Sequence, residues 1–337
     1  MESSPRAALA AMSDDPWDGP FTETEAYFSL CESGFEALAE GRLDRAEEVA
    51  GELEGRRASV GFELRAHARL HAGDPVGAIT ALVAGTDAAP GNWVLWQLLG
   101  NCCSDVEDFD RADAAYERAA GIEGADVDSV ALNRAVMASR SGGPSAGLVA
   151  LDAHEPAHLA QRHAALASEY LRELGRTQEA LARAKVALDQ AREDQDDARA
   201  LLLVQCSHAL REMNRRREAR AAAETAHSIE RGHPEALHAL RLLDPEERDP
   251  EHVPLRVLVR GAWPLREGAP AQGFFTTYHA VARDADDALE RARLLEPAEI
   301  RDTLVIEEFE VVEGEADAPP GIYGMSGLSF FPDDERG

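Results

Sequence analysis

A small residue recurs along this chain at the interval of a helical hairpin. Ala46 in GRLDRAEEVAGEL, Ala78 in GDPVGAITAL and Ala112 in EDFDRADAAYERA are followed by Gly147 in GGPSAGLVAL, Ala180 in GRTQEALARAKVAL and Ala219 in NRRREARAAAETA. The successive gaps are 32, 34, 35, 33 and 39 residues. A period near 34 built from helix, turn and helix predicts an array, because a two-helix unit cannot bury its apolar faces alone and must stack on a neighbour. The best-patterned copy runs from Asn92 to about Ala125, NWVLWQLLGNCCSDVEDFDRADAAYERAAGIEGA. Trp96, Leu99 and Gly100 lie on one face of its first helix, and Ala112, Tyr116 and Ala119 fall at 3.6-residue spacing on its second. Gly100, Ala112 and Ala119 allow close approach of the two helices, and Trp96 and Tyr116 fill the space beside them.

These residues resemble the tetratricopeptide (TPR) repeat: Trp96-x2-Leu99-Gly100, then Ala112-x3-Tyr116-x2-Ala119, match that family's pattern closely. Cys103 replaces the family's large residue at the end of the first helix, and Pro90 stands where the family often ends a repeat. Gly34 and Ala66 match the small residue of the first helix in the two preceding copies. Six repeats are expected over about residues 25–233, with Pro234-Glu-Ala-Leu-His-Ala-Leu-Arg-Leu-Leu as a capping helix, so that the resemblance covers residues about 25–243. The copy around Gly147 is degenerate, because SRSGGPSAG puts three glycines and a proline at its turn and predicts a loosened or kinked hairpin. DQAREDQDDARA, before the last pair, is read as an extended helix carrying charge.

At LLDPEERDPEHVP the prolines Pro245, Pro250 and Pro254 and a charge run mark a linker, and the period changes after it. Leu255–Trp263 and Phe274–Arg283 read as strands joined by the loop PLREGAPAQG. Asp284 is a good N-cap for a helix whose Ala288, Leu289, Ala292 and Leu295 form an apolar stripe. Thr303–Val312 gives a third strand, and Leu328–Phe331 an optional fourth. The expected organisation is an acidic disordered tail over 1–21, a TPR-like array with its cap over 22–244, a linker over 245–253 and a small α+β domain (β-β-α-β) over 254–337. Trp17 and Phe21 are candidates to staple the tail onto the first helix. The fold class is thus α+β multidomain, mostly α, with a TPR-like superhelix first. No family suggests itself for the C-terminal part.

The charge balance narrows the partners. There are 63 acidic residues against 34 basic ones, a formal net of −29, and Lys185 is the only lysine. The arginine bias reads as GC-rich coding in a bacterial host, with mimicry of a polyanion as the functional alternative. Nucleic acid and anionic membrane surfaces need positive charge and are disfavoured. Cys31, Cys102, Cys103 and Cys206 show no CxxC or paired spacing, so buried free thiols in a reducing compartment are expected. The N-terminus lacks the long apolar core of a secretion signal, and no segment approaches 18 uncharged apolar residues, so the expected location is the cytoplasm.

No catalytic constellation emerges. His154, His158 and His163 cluster in DAHEPAHLAQRH, but Pro156 interrupts any helix that would align the first two; they, with His227, His233 and His238, are read as solvated inter-repeat residues, with no metal or other cofactor implied. Gly321-x2-Gly324-x2-Gly327 lacks the following helix that a phosphate loop needs and reads as a turn-rich connector. Cys206 and His208, two apart on a helix, face different directions.

What remains is the groove that, by the resemblance, a TPR superhelix lines with its first helices. Projected by repeat, it offers Phe28, Cys31, Glu32 and Phe35, then Glu63, Leu64 and His67, then Gln97, Leu98 and Asn101. Leu132 and Asn133 follow, then Arg162, Glu169 and Arg172, and lastly Gln205, His208 and Arg211. Asn101 and Asn133 stand where asparagines of the family bond a ligand backbone. Relatives that hold an acidic chaperone terminus present a basic clamp, which the early repeats here lack, so an apolar or basic peptide suits the groove better. The expectation is a non-enzymatic adaptor that takes a partner peptide or helix in this groove, its oligomeric state unassigned. The alternatives are an acidic inhibitor, such as an immunity or defence component blocking a basic surface, and a C-terminal domain that is a small-ligand or catalytic module.

Overall fold

The computed structural model describes residues 21–56, 58–192, 194–247, 250–263, 271–313 and 318–331, with only the backbone described for 21–25. Residues 1–20 of the expected tail, its staple through Trp17, and most of the PLREGAPAQG loop lie outside the described residues, while Phe21, expected to end the tail, starts the first helix. Packing divides the chain into two compact units, one ending at Leu159 and the other starting at Ala160.

The first unit consists of four antiparallel helix pairs. They are α1 (Phe21–Ala39) with α2 (Leu43–Gly55), α3 (Ser59–His71) with α4 (Pro75–Ala88), α5 (Trp93–Asp105) with α6 (Phe109–Ala120), and α7 (Val127–Gly142) with α8 (Pro144–Asp152). The second unit continues with α9 (Ala160–Glu173) and α10 (Thr177–Gln190), then α11 (Asp196–Glu212) and α12 (Arg216–Ile229), then the single helix α13 (Pro234–Leu243). All six small marker residues are buried, five of them alanines with no exposed surface. Gly100 shows why size matters there: a Cβ at this position would stand 2.6 Å from the Tyr116 ring. Carboxylate and amide caps start several helices, as where Asp74 accepts from Gly77 N–H at 2.8 Å and Asn92 from Val94 N–H at 3.0 Å.

The turn inside every pair reverses the chain through a residue with left-handed backbone. Gly41, Gly73, Gly143 and Gly175 fill this place at φ of 71°, 73°, 79° and 72°, whereas Glu107 and Asn214 fill it at 62° and 60°. The Gly147 hairpin is nonetheless tighter than the others: Gly143 alone joins its helices, with ψ at 175°, and its second helix is only 9 residues long. The charged DQAREDQDDARA segment is a break and not the extended helix expected. Ala191 is already extended at ψ 137°, and α11 starts only at Asp196, where acidic residues favour a helix N-terminus.

Beyond α13 the chain forms an antiparallel sheet. Its strands are β1 (Val253–Trp263), β2 (Gln272–Ala282), β3 (Val305–Val311), β4 (Gly321–Met325) and β5 (Ser329–Phe330), in the order β3-β1-β2-β4 with β5 also on β2. Two helices, α14 (Ala285–Leu295) and the short α15 (Ala298–Arg301), lie between β2 and β3. The register pairs Val253 with Ala282 and Trp263 with Gln272. Leu255, Val257 and Val259 alternate inward on β1, Phe274, Tyr278 and Ala280 on β2, and all six meet the predicted stripe of α14. Asp284 caps that helix, accepting from Asp287 N–H at 2.8 Å. The Gly321–Met325 stretch, read above as a turn-rich connector, is a strand because Ile322 finds a place in this core and its backbone pairs with β2.

Leu237 of α13 belongs to the same core, so the terminal helix is covered by the sheet. A polar tie joins them: Arg231, just after α12, donates to the Glu296 carboxylate and to the Ser326 carbonyl, and at 3.2 Å to Thr276 Oγ1. Tyr278 donates its hydroxyl to Glu296 Oε1 at 2.6 Å. Glu296 is 1% exposed, and its charge is answered in place by this guanidinium.

The left-handed turn gives the first prediction. Glu107→Gly relieves a side chain from a backbone region that costs L-residues about 1–2 kcal/mol, less the added entropy of glycine in the unfolded chain. A gain of about 0.5–1 kcal/mol in urea unfolding is expected.

Candidate functional site

The first helices of successive pairs touch one another, α1 with α3, α3 with α5 and α5 with α7 in the first unit, and α9 with α11 and α11 with α13 in the second. Each unit therefore has a face built from first helices, where the sequence places its candidate groove.

On the first unit's face the projected residues divide between surface and interior. Cys31 and Leu64 have no exposed surface, and Glu63 is 5% exposed. Burial raises the Glu63 carboxyl from 4.5 to about 7, and His67 Nε2 stands 4.0 Å from its Oε1. Burial, and then His71, lowers His67. Phe28 on α1 is a large apolar side chain, 40% exposed. Asn101 accepts from the Tyr116 hydroxyl at 2.8 Å, so it braces its own hairpin, and Asn133 is half-buried on α7. Gln97 bridges two pairs, its Nε2 donating to Ser129 Oγ at 3.3 Å, while its buried Oε1 has no partner among the described residues.

On the second unit's face Arg162 reaches Asp197 at 2.7 Å near the edge. Arg172 donates to Glu212 Oε1 at 3.0 Å and to Gln205 Oε1 at 2.9 Å, locking α9 to α11. Gln205 is buried, and burial raises half-buried Glu169. His208 lies with its ring centroid 6.3 Å from that of His238 on α13. Burial, followed by the nearby charges of Arg172 and Arg211, holds His208 down at about 4. It is a neutral imidazole among guanidinium groups. Arg211 Nε, buried, lacks an acceptor among the described residues.

The histidines dismissed as metal ligands have structural work. Asp128, with no exposed surface, accepts from His154 Nε2 at 2.7 Å and from the N–H groups of Ala157, His158 and Leu159 at 3.1, 2.7 and 2.9 Å. Burial pushes its carboxyl up, but these four bonds outweigh that and hold it well below the usual range. His158 lies 3.2 Å from both Asp126 and Asp128. His163 and His227, expected to be solvated, are buried at 3% and 5% exposure. All four cysteines are buried free thiols, with Cys102 pushed up to about 12 and Cys206 to about 11, first by burial. That environment makes poor nucleophiles.

A feature with no counterpart in the sequence reading lies in the second unit. α12 and α13 on one side, and the end of α14 with Trp263 and Ile322 on the other, enclose a cavity of about 550 Å³. Its walls come from segments up to about a hundred residues apart, and only the fold brings them together.

No protein-family model matches the sequence, and no curated protein does. Solved structures resemble the helical part. Cut9–Hcn1, described as an APC/C hetero-tetramer, aligns over 63% of this chain and 41% of its own at 12% identity and TM-score 0.45. PilF of Pseudomonas aeruginosa aligns over 65% of this chain and 98% of its own at 13% identity and TM-score 0.45. YrrB, described as a TPR protein with an unusual peptide-binding site, aligns over 57% and 96% at 17% identity and TM-score 0.35. The likeness is one of fold alone, and this chain spans less than half of the Cut9–Hcn1 chain. The helical part is an array of helix pairs, the architecture that the TPR resemblance of the sequence implies. Among the described residues no helix is long and apolar enough to cross a membrane.

Two predictions arise from these sites. Asp128→Ala leaves three N–H groups without this acceptor and is expected to lower stability by about 1–3 kcal/mol, read from chemical denaturation. Glu63 carries the pH dependence. Below about pH 4.5 the carboxyl is protonated both folded and unfolded; from there to about 7 only the unfolded chain ionises. The stability it contributes is fully present below about pH 4.5 and is lost as pH rises to about 7. Relative to Glu63→Gln, the natural protein should therefore lose about 3 kcal/mol across that window and no more above it. Parallel denaturation curves of the two proteins at pH 4.5, 6 and 8 measure the difference.

Proposed function

We propose that this chain is a non-enzymatic protein-interaction adaptor of the cytoplasm, which takes an extended peptide or a helix along the faces built from its first helices. The single observation that carries this reading is the placement of unmet hydrogen-bonding groups. Gln97 Oε1 and Arg211 Nε, on two of the residues that the sequence projects onto those faces, are buried and without partners among the described residues. Such groups are costly unless a ligand answers them. A peptide backbone offers an N–H for the one and a carbonyl for the other.

The partner's side chains follow from the surroundings. Phe28 favours an apolar contact on the first unit, and the formal net charge of −29 speeds the approach of a basic protein. The same field suits the acidic-inhibitor alternative, but the unmet groups on the first helices favour the adaptor.

The test uses the full chain with Gln97→Ala and Arg211→Ala combined, as bait in its host's lysate, beside a thermal melt to show that the variant folds. Recovery of the captured protein is expected to fall at least tenfold. Equal recovery from a folded double variant would sink the reading.

A further inference from the structure

We propose that the cavity between α12, α13 and α14 is a binding site for a small organic acid with an apolar body, separate from the partner-binding faces. The size fits: about 550 Å³ lies within the range of pockets that enclose drug-sized ligands. The composition fits as well. Leu237, Leu240, Leu295, Ile322, Trp263 and Leu328 supply apolar wall, while Leu294, 75% exposed, stands at the opening.

The charge of the lining points to an anionic head. The chain as a whole has nearly two acids for each base, 63 against 34, yet this cavity is lined by five arginines and only four carboxylates. The guanidinium groups are held in place before any ligand arrives. Arg291 grips Glu246 through two bonds of 2.9 and 2.8 Å, and Arg220 pairs with Asp244. Arg241 donates to the Ile322 carbonyl and lies 4.0 Å over the Tyr323 ring. Arg301 donates through Nε to the Glu296 carbonyl at 2.6 Å. Each guanidinium carries five N–H donors, so these anchors fix the groups and leave further donors to offer, and a fixed donor loses little entropy on binding.

A second, independent observation concerns His227, which forms part of the cavity wall and is 5% exposed. Its Nδ1 accepts from the Gly232 N–H at 3.3 Å, which places the proton of the neutral ring on Nε2. That Nε2 is buried and has no partner among the described residues. A carboxylate oxygen seated on this wall provides the missing acceptor, and the apolar body then lies against the leucines. Because α12 and α13 supply seven of the twenty lining residues, His227 among them, the C-terminal sheet alone would not form the site.

Decanoate, with decanol as its neutral counterpart, probes the site in the full-length protein by calorimetric titration and thermal shift. One decanoate per chain is expected, bound at least tenfold more tightly than decanol, and His227→Phe should erase most of that preference. Leu294→Glu sets a carboxylate at the opening from an already exposed position, so it leaves the ligand-free melting curve unchanged and weakens decanoate at least tenfold. The absence of saturable decanoate binding to the natural protein, equal affinity for decanol, or undiminished binding to Leu294→Glu would each overturn the proposal. None of these outcomes bears on capture of a protein partner, which is read with Gln97 and Arg211.

Discussion

A stack of helix pairs has ends, and an end leaves an apolar face that something must cover. In the second unit that requirement organises everything after Leu243. Leu237 does not sit under a polar cap; it is shared with the core of a five-stranded sheet. The cover is fastened by partly exposed Arg231 and buried Glu296, an ion pair also bonded to Tyr278 and Thr276, where the carboxylate alone would be expensive. The cavity lies beside this fastening, with Arg231 and Glu296 both in its lining.

Inside each unit the governing constraint is closeness. Helices that pack with alanine or glycine at the contact leave no tolerance for a larger residue, as the Tyr116 ring against Gly100 shows. The reversal between paired helices is equally restricted, and a left-handed residue recurs there whether the chain supplies glycine, glutamate or asparagine. Backbone geometry, more than side-chain identity, is what the hairpins hold in common.

Much of this was readable in advance. The marker alanines, the cap at Asp284, the stripe on α14 and three of the strands follow from periodicity and capping chemistry, which are local. Less legible were features that depend on distant partners. Gly321–Met325 carries glycine at turn-like spacing, and only the pairing with β2 and the place waiting for Ile322 make it a strand. The projected groove residues proved a mixture, since helical spacing assigns a face but does not say whether a neighbouring helix, as with Glu63 and Gln205, or solvent will occupy it. His227, Arg241 and Glu296 carry no signal in the sequence, because each matters through a residue on another element.

The fastening of the sheet also sets an order of events for the growing chain. Arg231 meets Ser326 across a separation of 95 residues, and Arg241 meets Ile322 across 81, whereas the helix pairs close through neighbours. Contacts of that span pay loop-closure entropy before they return anything, and they form late. During synthesis the helices of the second unit emerge first, with Leu237 and Leu240 incompletely covered until the strands and α14 have left the ribosome. For that interval the last helix is an adhesive surface, and the speed with which the final strands arrive determines how long a neighbouring nascent chain could stick to it.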